Sequence, residues 1–177
     1  QFTLAALTLT YTQPEPPEAM RPQELPVLEI GTPAISSNIL MAETQLLTQL
    51  HNSGWLEADL SDREIIVDHA LQSVSLEVII ESGPYLTFGS AQFAGGLAEY
   101  RPAFISRLAP YTIGDPASAE LLVDYTRRLQ NLEGVLVADT RLEPGPASQR
   151  GVDVRAEPSP RYALRASLQY STTEGFG

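Results

Sequence analysis

One plan of elements occurs twice along the chain, and this repetition constrains the fold more than any other feature. The tetrapeptide at residues 31–34 (Gly-Thr-Pro-Ala) recurs 83 residues later at 114–117 as Gly-Asp-Pro-Ala. An apolar helical stripe follows each copy. A glycine ends each stripe, Gly54 in the first and Gly134 in the second, 80 residues apart. Self-similarity at a fixed period is typical of tandem copies of one structural unit. The sequence therefore predicts two small domains of the same fold.

In each copy the tetrapeptide predicts the start of a helix. Thr32 and Asp115 are N-cap residue types, and Pro33 and Pro116 follow at the first helical position, where a missing N–H is tolerated. The apolar residues that come next recur at the spacing of one helix face. They are Ile39, Ala42, Leu46, Leu47 and Leu50 in the first copy, and Leu121, Leu122, Tyr125, Leu129 and Leu132 in the second.

The segments around these helices have the alternating apolar and polar pattern of half-buried strands. They are residues 2–12, 64–67, 73–81, 85–94, a strand ending at about 142, and 151–157. A short turn over 68–72 predicts that its flanking strands form a hairpin. The second copy has an additional short helical segment near 102–108. The predicted order in each copy is therefore strand, helices, strand, strand.

Two segments lie outside this plan. Residues 13–26 contain five prolines, which predicts a loop or an extended linker rather than a helix. Residues 160–177 alternate apolar and polar side chains over about eleven residues, a length and period typical of one strand of a transmembrane β-barrel. A soluble edge strand or a disordered tail remains the alternative for this tail.

Composition narrows the function. The net charge is −11, and all eleven basic residues are arginine, so the chain should repel nucleic acid. The absence of cysteine excludes disulfides and thiolate metal sites. No apolar run reaches the length of a transmembrane helix. No signal peptide is visible at residues 1–3, which favours an interior or processed segment.

Enzyme chemistry has little support in the sequence. His51, Ser53 and Asp59 are triad residue types, but a triad is defined by geometry, and we interpret them as surface residues. The acidic run of Glu57, Asp59, Asp62 and Glu64 lacks the spacing of an EF-hand loop and is typical of a solvated surface. We predict no catalytic residue, no cofactor and no metal site. A small hydrolase or metal-binding module remains as an alternative.

The ordered elements resemble POTRA domains, the periplasmic modules of outer-membrane assembly proteins. Residues 83–89 (Gly-Pro-Tyr-Leu-Thr-Phe-Gly) with Gly95 resemble a junction between consecutive units, and 170–175 resemble the first barrel strand. The resemblance implies an α+β fold with two tandem β-α-α-β-β domains, each a three-stranded mixed sheet with helices on one face. The domains would be residues 1–83 and 84–158, followed by the truncated first strand of an outer-membrane β-barrel at 159–177.

The resemblance also implies that the middle strand of each domain lies at a sheet edge, at about 60–68 and 135–142. Unpaired backbone groups on such an edge can bind an extended client by β-augmentation. Ile65, Ile66 and Val67 are the expected client-binding residues. The alternative is that charged residues merely protect these edges, and the first edge carries four: Asp62, Arg63, Glu64 and Asp68. The second edge is less favourable for binding because Asp139 and Arg141 lie in mid-strand. Gly83 and Pro84 are the expected inter-domain hinge.

The expected location is the periplasmic face of the Gram-negative outer membrane. The expected partners are unfolded outer-membrane protein or autotransporter clients, a TamB-like protein anchored in the inner membrane, and the chain's own C-terminal barrel. An alternative within the family is the POTRA region of a barrel that secretes its own passenger. Four aromatic residues of the second copy are interpreted as core or inter-domain packing rather than as a client groove: Phe88, Phe93, Tyr100 and Phe104.

Overall fold

The computed structural model describes residues 2–12 and 28–159, which form two three-stranded mixed sheets with helices against them. The strands are β1 Thr3–Thr12, β2 Asp59–Asp68, β3 Ser73–Glu81, β4 Thr87–Gly95, β5 Val135–Leu142 and β6 Gln149–Pro158. The helices are α1 Ser36–His51, α2 Pro102–Leu108 and α3 Ala119–Gln130, with a short 3₁₀ helix at Gly96–Glu99. None of the helices in these two ranges is long and apolar enough to span a membrane. The segments predicted as a proline-rich loop and as a barrel strand lie outside the described residues.

Both sheets have the same topology. Their strand orders are β1-β3-β2 and β4-β6-β5. In each, the first strand in sequence runs parallel to the last, and the middle strand pairs antiparallel with the last. We call the first sheet with α1 the first unit, and the second sheet with α2 and α3 the second unit. The predicted α+β architecture of two mixed sheets is confirmed.

Each unit has its own apolar core, between one sheet face and the helices. In the first, Leu76, Val78 and Ile80 of β3 pack with residues of α1 and with Trp55. In the second, Val152 and Val154 of β6 pack with residues of α2, α3 and β4. The alternating pattern read from the sequence places these side chains on one face. Burying each large apolar side chain contributes about 1.5–3 kcal/mol.

The repeated tetrapeptides do not begin the helices, so the predicted N-caps Thr32 and Asp115 are wrong. α1 begins at Ser36 after Ile35, which makes no side-chain capping bond. α3 begins at Ala119, and Ser118 is its N-cap because its hydroxyl accepts a hydrogen bond from the Leu121 amide.

Each tetrapeptide instead pairs with the first strand of its unit. Gly31 N donates to Leu4 O at 2.7 Å, and Leu4 N donates to Thr32 O at 2.8 Å. In the second unit, residues 114 and 115 make the same two bonds with β4, at 2.8 and 2.9 Å. Gly31 and Gly114 have φ of 91° and 96°, a left-handed conformation that favours glycine. Proline is tolerated next because it lies at a sheet edge, where its missing donor costs no ladder bond.

The second core contains two tyrosines with different hydroxyl environments. The Tyr111 ring stacks on Phe88 at 4.0 Å and meets Tyr125 edge-on. Tyr125 Oη donates to the Ile105 carbonyl at 3.1 Å, whereas Tyr111 Oη is buried with no hydrogen-bond partner among the described residues. Burial raises the pKa of Tyr111 to about 12 and raises the pKa of Tyr125 above its usual range.

Removing the two hydroxyl groups should change stability in opposite directions. Tyr111→Phe removes an unpaired buried hydroxyl and should raise the free energy of unfolding by about 1 kcal/mol, whereas Tyr125→Phe removes a hydrogen bond and should lower it by about 1 kcal/mol. Urea unfolding followed by circular dichroism measures both. A clear loss of stability in Tyr111→Phe would contradict this account.

The same burial predicts a pH dependence. Unfolded phenols ionise near pH 10, before the buried ones, so stability should fall as the pH rises from about 10 to about 12. Each phenylalanine variant should lose stability less steeply than the unsubstituted chain over this range.

Candidate functional site

The candidate site is the open edge of the first sheet. β2 pairs only with β3 and lies at the edge, as predicted for the middle strand, and β5 has the equivalent place in the second sheet. Ile65, Ile66 and Val67 are 45, 59 and 42% exposed. The predicted hairpin between β2 and β3 is confirmed, and the Asp68 carboxylate accepts hydrogen bonds from the amides of residues 70 and 71 in its turn. The three expected client-binding residues therefore lie together on an exposed strand.

The three apolar side chains face both sides of the sheet. Ile65 and Val67 are opposite Leu76 and Val74, which are buried on the helix side, so both point toward α1. Ile66 is opposite Ser75 on the outer face. A strand added beside β2 would therefore have apolar neighbours on both of its faces.

The outer face of the first sheet is strongly acidic. Six carboxylates on β2 and β3 point to this side: Asp59, Asp62, Glu64, Asp68, Glu77 and Glu81. In the described part of the chain, none of the six forms an ion pair, and no group of three or more His, Asp or Glu is placed to hold a metal ion. The acidic run noted in the sequence thus contributes to a negatively charged sheet face.

An ion pair spans the space between α1 and the edge strand. Arg63 Nη1 donates to both carboxylate oxygens of Glu43, at 3.2 and 3.1 Å, and Glu43 is buried. In the second unit Thr140 has the register of Arg63, and its hydroxyl donates to Leu122 O at 2.9 Å on α3. α3 accordingly packs closely along β5, whereas α1 makes few close backbone approaches to β2. In the first unit an ion pair between side chains thus links the helix to the edge strand, and in the second a hydrogen bond to the helix backbone does so.

The edge of the second unit is less accessible. β5 has eight residues against ten in β2, and three of them are exposed against nine in β2. Arg141 Nε and Asp139 Oδ2, 2.7 Å apart, form an ion pair along the strand. Charged residues and irregular pairing protect sheet edges from other chains, and both edge strands have them. The longer exposed run of β2 is therefore what favours the first unit.

The residues considered for catalysis are not assembled into a triad. His51 Nε2 lies 2.8 Å from the Ala58 carbonyl oxygen, and Ser53 Oγ donates to the Gln49 carbonyl at 2.7 Å.

Of the four aromatic residues interpreted as packing residues in the sequence, Phe88 is buried, and Phe93 and Tyr100 pack against the second core, as predicted. Phe104 differs because it is 44% exposed.

Residues from both units meet at the junction. The Tyr85 ring lies 5.1 Å from the Trp55 ring, and Leu86 N donates to Gly54 O at 2.8 Å. Gly54 has a φ of 99°, and a Cβ there would collide with the Tyr85 ring. The expected hinge at Gly83 and Pro84 therefore lies beside a packed contact, and its mobility stays a prediction.

One side chain of the first unit caps a helix of the second. Asn52 is the first residue after α1, and its Oδ1 accepts hydrogen bonds from Ser118 Oγ and from Glu120 N, both at 3.0 Å. Arg150 and Glu57 add an ion pair with atoms 3.9 Å apart. The sequence analysis missed Asn52 because its partners are distant in sequence, and local pattern shows only an ordinary helix end.

The architecture is similar to solved BamA structures. BamA from Haemophilus ducreyi lacking POTRA domains 1–3 superposes with a TM-score of 0.71 at 12% identity, over 89% of this chain and 30% of that chain. POTRA3–5 of Haemophilus influenzae BamA superposes with a TM-score of 0.59 at 17% identity, over 90% of this chain and 62% of that chain. This chain thus spans less than two thirds of either. No protein-family model and no curated protein matches it. At these identities the similarity shows the fold alone, and that fold is the POTRA fold.

The ion pair between α1 and β2 should be needed for stability. Arg63→Ala leaves the buried Glu43 carboxylate unpaired and should lower the free energy of unfolding by about 2 kcal/mol. Arg141→Ala is the matched control, because it removes an exposed pair that contributes about 0.5 kcal/mol. Adding Glu43→Leu to Arg63→Ala should restore stability, since Leu122 is the residue equivalent to Glu43 in the second unit. Equal losses in Arg63→Ala and Arg141→Ala, measured by urea unfolding, would refute this role.

The Asn52 cap should couple the two units. Asn52→Ala removes an acceptor for the first turn of α3 and should cost about 1 kcal/mol. Asn131→Ala is the control, because Asn131 follows α3 as Asn52 follows α1 but makes no side-chain bond across the junction among the described residues. Spin-label distance distributions between the two units should broaden in Asn52→Ala and stay unchanged in Asn131→Ala. Identical distributions in all three proteins would show that Asn52 does not order the junction.

Proposed function

We propose that the chain is the periplasmic POTRA region of an outer-membrane protein that assembles or translocates other proteins. Its POTRA-like domains would be residues 1–83 and 84–158, with the first barrel strand at 159–177. Within the family, the order of motifs resembles the outer-membrane subunit of the translocation and assembly module, TamA. The POTRA fold and the alternating pattern of the C-terminal tail support this proposal. The protein would act without catalysis, at the periplasmic face of the Gram-negative outer membrane.

The proposed activity is capture of an extended client on β2. The observation that carries it is the exposed edge strand with three consecutive apolar residues, Ile65, Ile66 and Val67. A client strand would pair with the outward backbone groups of β2, and this pairing depends little on client sequence. A receptor for many unfolded barrel proteins needs this tolerance.

The two faces of the site favour a particular kind of client. Its side chains on the helix side would pack beside Ile65 and Val67, on the face of the sheet that α1 covers. Its side chains on the other side would lie beside the acidic face that contains Glu64 and Glu77. Barrel strands alternate apolar and polar residues with the same period of two. The preferred client strand is therefore alternating, with basic residues at its polar positions.

The second unit would connect the capture site to the barrel. The Asn52 cap and the Tyr85–Trp55 contact hold the units together, with Gly83 and Pro84 as the proposed hinge. A TamB-like periplasmic protein is the proposed further partner. The POTRA region of a dedicated secretion barrel is the second candidate, and a restriction of binding to one passenger sequence would favour it.

Proline substitutions test the capture site. The backbone N–H groups of successive strand residues point to opposite edges of the strand. Proline has no N–H, so one of the variants Ile65→Pro and Ile66→Pro loses a hydrogen bond to β3. The other loses only an N–H group that points outward from the sheet edge. The variant that keeps native stability should lose binding of an alternating Leu/Lys peptide, measured by calorimetry. The unsubstituted protein should bind this peptide more tightly than the matched Leu/Glu peptide, and the difference should shrink in high salt.

A photo-cross-linker provides the positional control. Placed at residue 66, it should attach to the Leu/Lys peptide. Placed at Thr10, on the same outer face but on β1, it should attach much less. Full peptide binding by both proline variants, or equal labelling at both positions, would refute capture on β2.

A further inference from the structure

The second unit has a cationic and aromatic surface that the proposed client site does not use. We call it the α2 patch: Tyr100, Arg101, Phe104 and Arg107. The Tyr100 and Phe104 rings are nearly parallel, with centroids 6.1 Å apart. With Ala103, the patch lines an open cleft of about 450 Å³. Phe104 is a large apolar side chain that remains 44% exposed. A surface of this composition is typical of an interaction site.

The two arginines of the patch differ from the other described arginines. Six arginines in the described ranges form ion pairs with carboxylates: Arg63, Arg127, Arg128, Arg141, Arg150 and Arg155. Arg101 and Arg107 form none there, and both are exposed. In a chain with a net charge of −11, carboxylate partners are abundant. The guanidinium groups of Arg101 and Arg107, which line one cleft, are therefore available to an external anion.

An apolar crevice adjoins the cationic cleft. It has a volume of about 250 Å³ between β4 and α2, and its lining includes Phe93, Leu97, Pro102 and Ile105. Tyr100 lines both cavities. Tyrosine combines an apolar ring with a polar hydroxyl and is favoured where an apolar region meets water. The patch thus places cationic groups beside an apolar surface, as a ligand with a phosphate head and apolar chains would require.

The patch lies near the point where the chain leaves the second unit. Tyr100 Oη donates to the carbonyl of Glu133, and the carbonyl of the next residue accepts a hydrogen bond from Ser159 N at 2.8 Å. The residue that starts the 3₁₀ helix, Gly96, lies directly against Pro158. If residues 159–177 enter a membrane, as the proposed function states, the α2 patch lies next to the membrane surface. The argument from position rests on that proposal, whereas the argument from charge does not.

We propose that the α2 patch docks the second unit onto a phospholipid surface with anionic headgroups. Arg101 and Arg107 would donate hydrogen bonds to phosphate oxygens, and Phe104 would insert at the level of the headgroups. The acidic residues elsewhere in the chain repel an anionic membrane only weakly, because salt screens the interaction between charges more than about 8–10 Å apart. Two arginines give weak binding, so the contact orients a unit that the barrel already tethers.

Vesicle flotation of the 177-residue chain tests the proposal. The chain should float with phosphatidylglycerol-containing vesicles and much less with pure phosphatidylcholine vesicles. Arg101→Gln and Arg107→Gln should each lower the partition coefficient about fivefold. The control is the double variant Arg127→Gln/Arg141→Gln, which removes two positive charges that already form ion pairs. It should change the partition coefficient less than twofold. Equal losses in patch and control variants, or no loss in the patch variants, would overturn the proposal.

A fluorescence reporter tests insertion directly. The tryptophan fluorescence emission of Phe104→Trp should shift to shorter wavelength when phosphatidylglycerol vesicles are added. Trp55 is only 3% exposed and contributes a constant background. No shift would contradict insertion of residue 104. The patch variants should bind the Leu/Lys peptide normally, because β2 is in the other unit. Vesicle binding without peptide binding would refute client capture and leave the patch supported, and the reverse result would refute the patch alone.

Discussion

The structure depends on a simple constraint: a three-stranded sheet has one strand with two neighbours and two strands with one. β3 and β6 are the inner strands, so all other strands are edges. At β1 and β4 the edge is partly closed by the repeated tetrapeptide, which hydrogen-bonds to the strand through Leu4 and Phe88. At β2 no equivalent pairing occurs among the described residues, and eight consecutive residues, 61–68, are exposed. β5 has no such pairing among those residues either, so the proposed client site follows from the longer exposed run of β2.

The two units show how one fold gives two different edges. In the second unit Thr140 allows α3 to lie close to β5, because its hydroxyl donates directly to the helix backbone. At the register of Arg63 the guanidinium instead pairs with a carboxylate on the helix, so side chains link α1 to β2. Burying Glu43 costs desolvation energy, which its pairing with Arg63 offsets. The first unit keeps the longer exposed edge and is thus suited to binding, and the second is suited to connection.

Much of this fold could be predicted from local pattern. Alternation, apolar spacing and glycine positions predict the strands, the hairpin turn at 68–72, the short helix α2, and helix ends a few residues before Gly54 and Gly134. The N-caps could not be predicted correctly, because a glycine and a proline before a helical stripe look the same whether they begin a helix or bridge to a strand. The ion pair of Arg63 with Glu43 and the cap by Asn52 depend on contacts distant in sequence. The edge position of β2 came from the resemblance to POTRA domains rather than from the residues alone.

The most direct test of the account is hydrogen exchange of the β2 amides, measured by NMR with and without the Leu/Lys peptide. Amides that pair with β3 are protected in the free protein, whereas the alternate, outward amides exchange quickly. Capture on β2 predicts that the outward amides near residues 65–67 become protected when the peptide binds, while those of β5 do not change. Peptide binding without new protection in β2 would contradict the central claim.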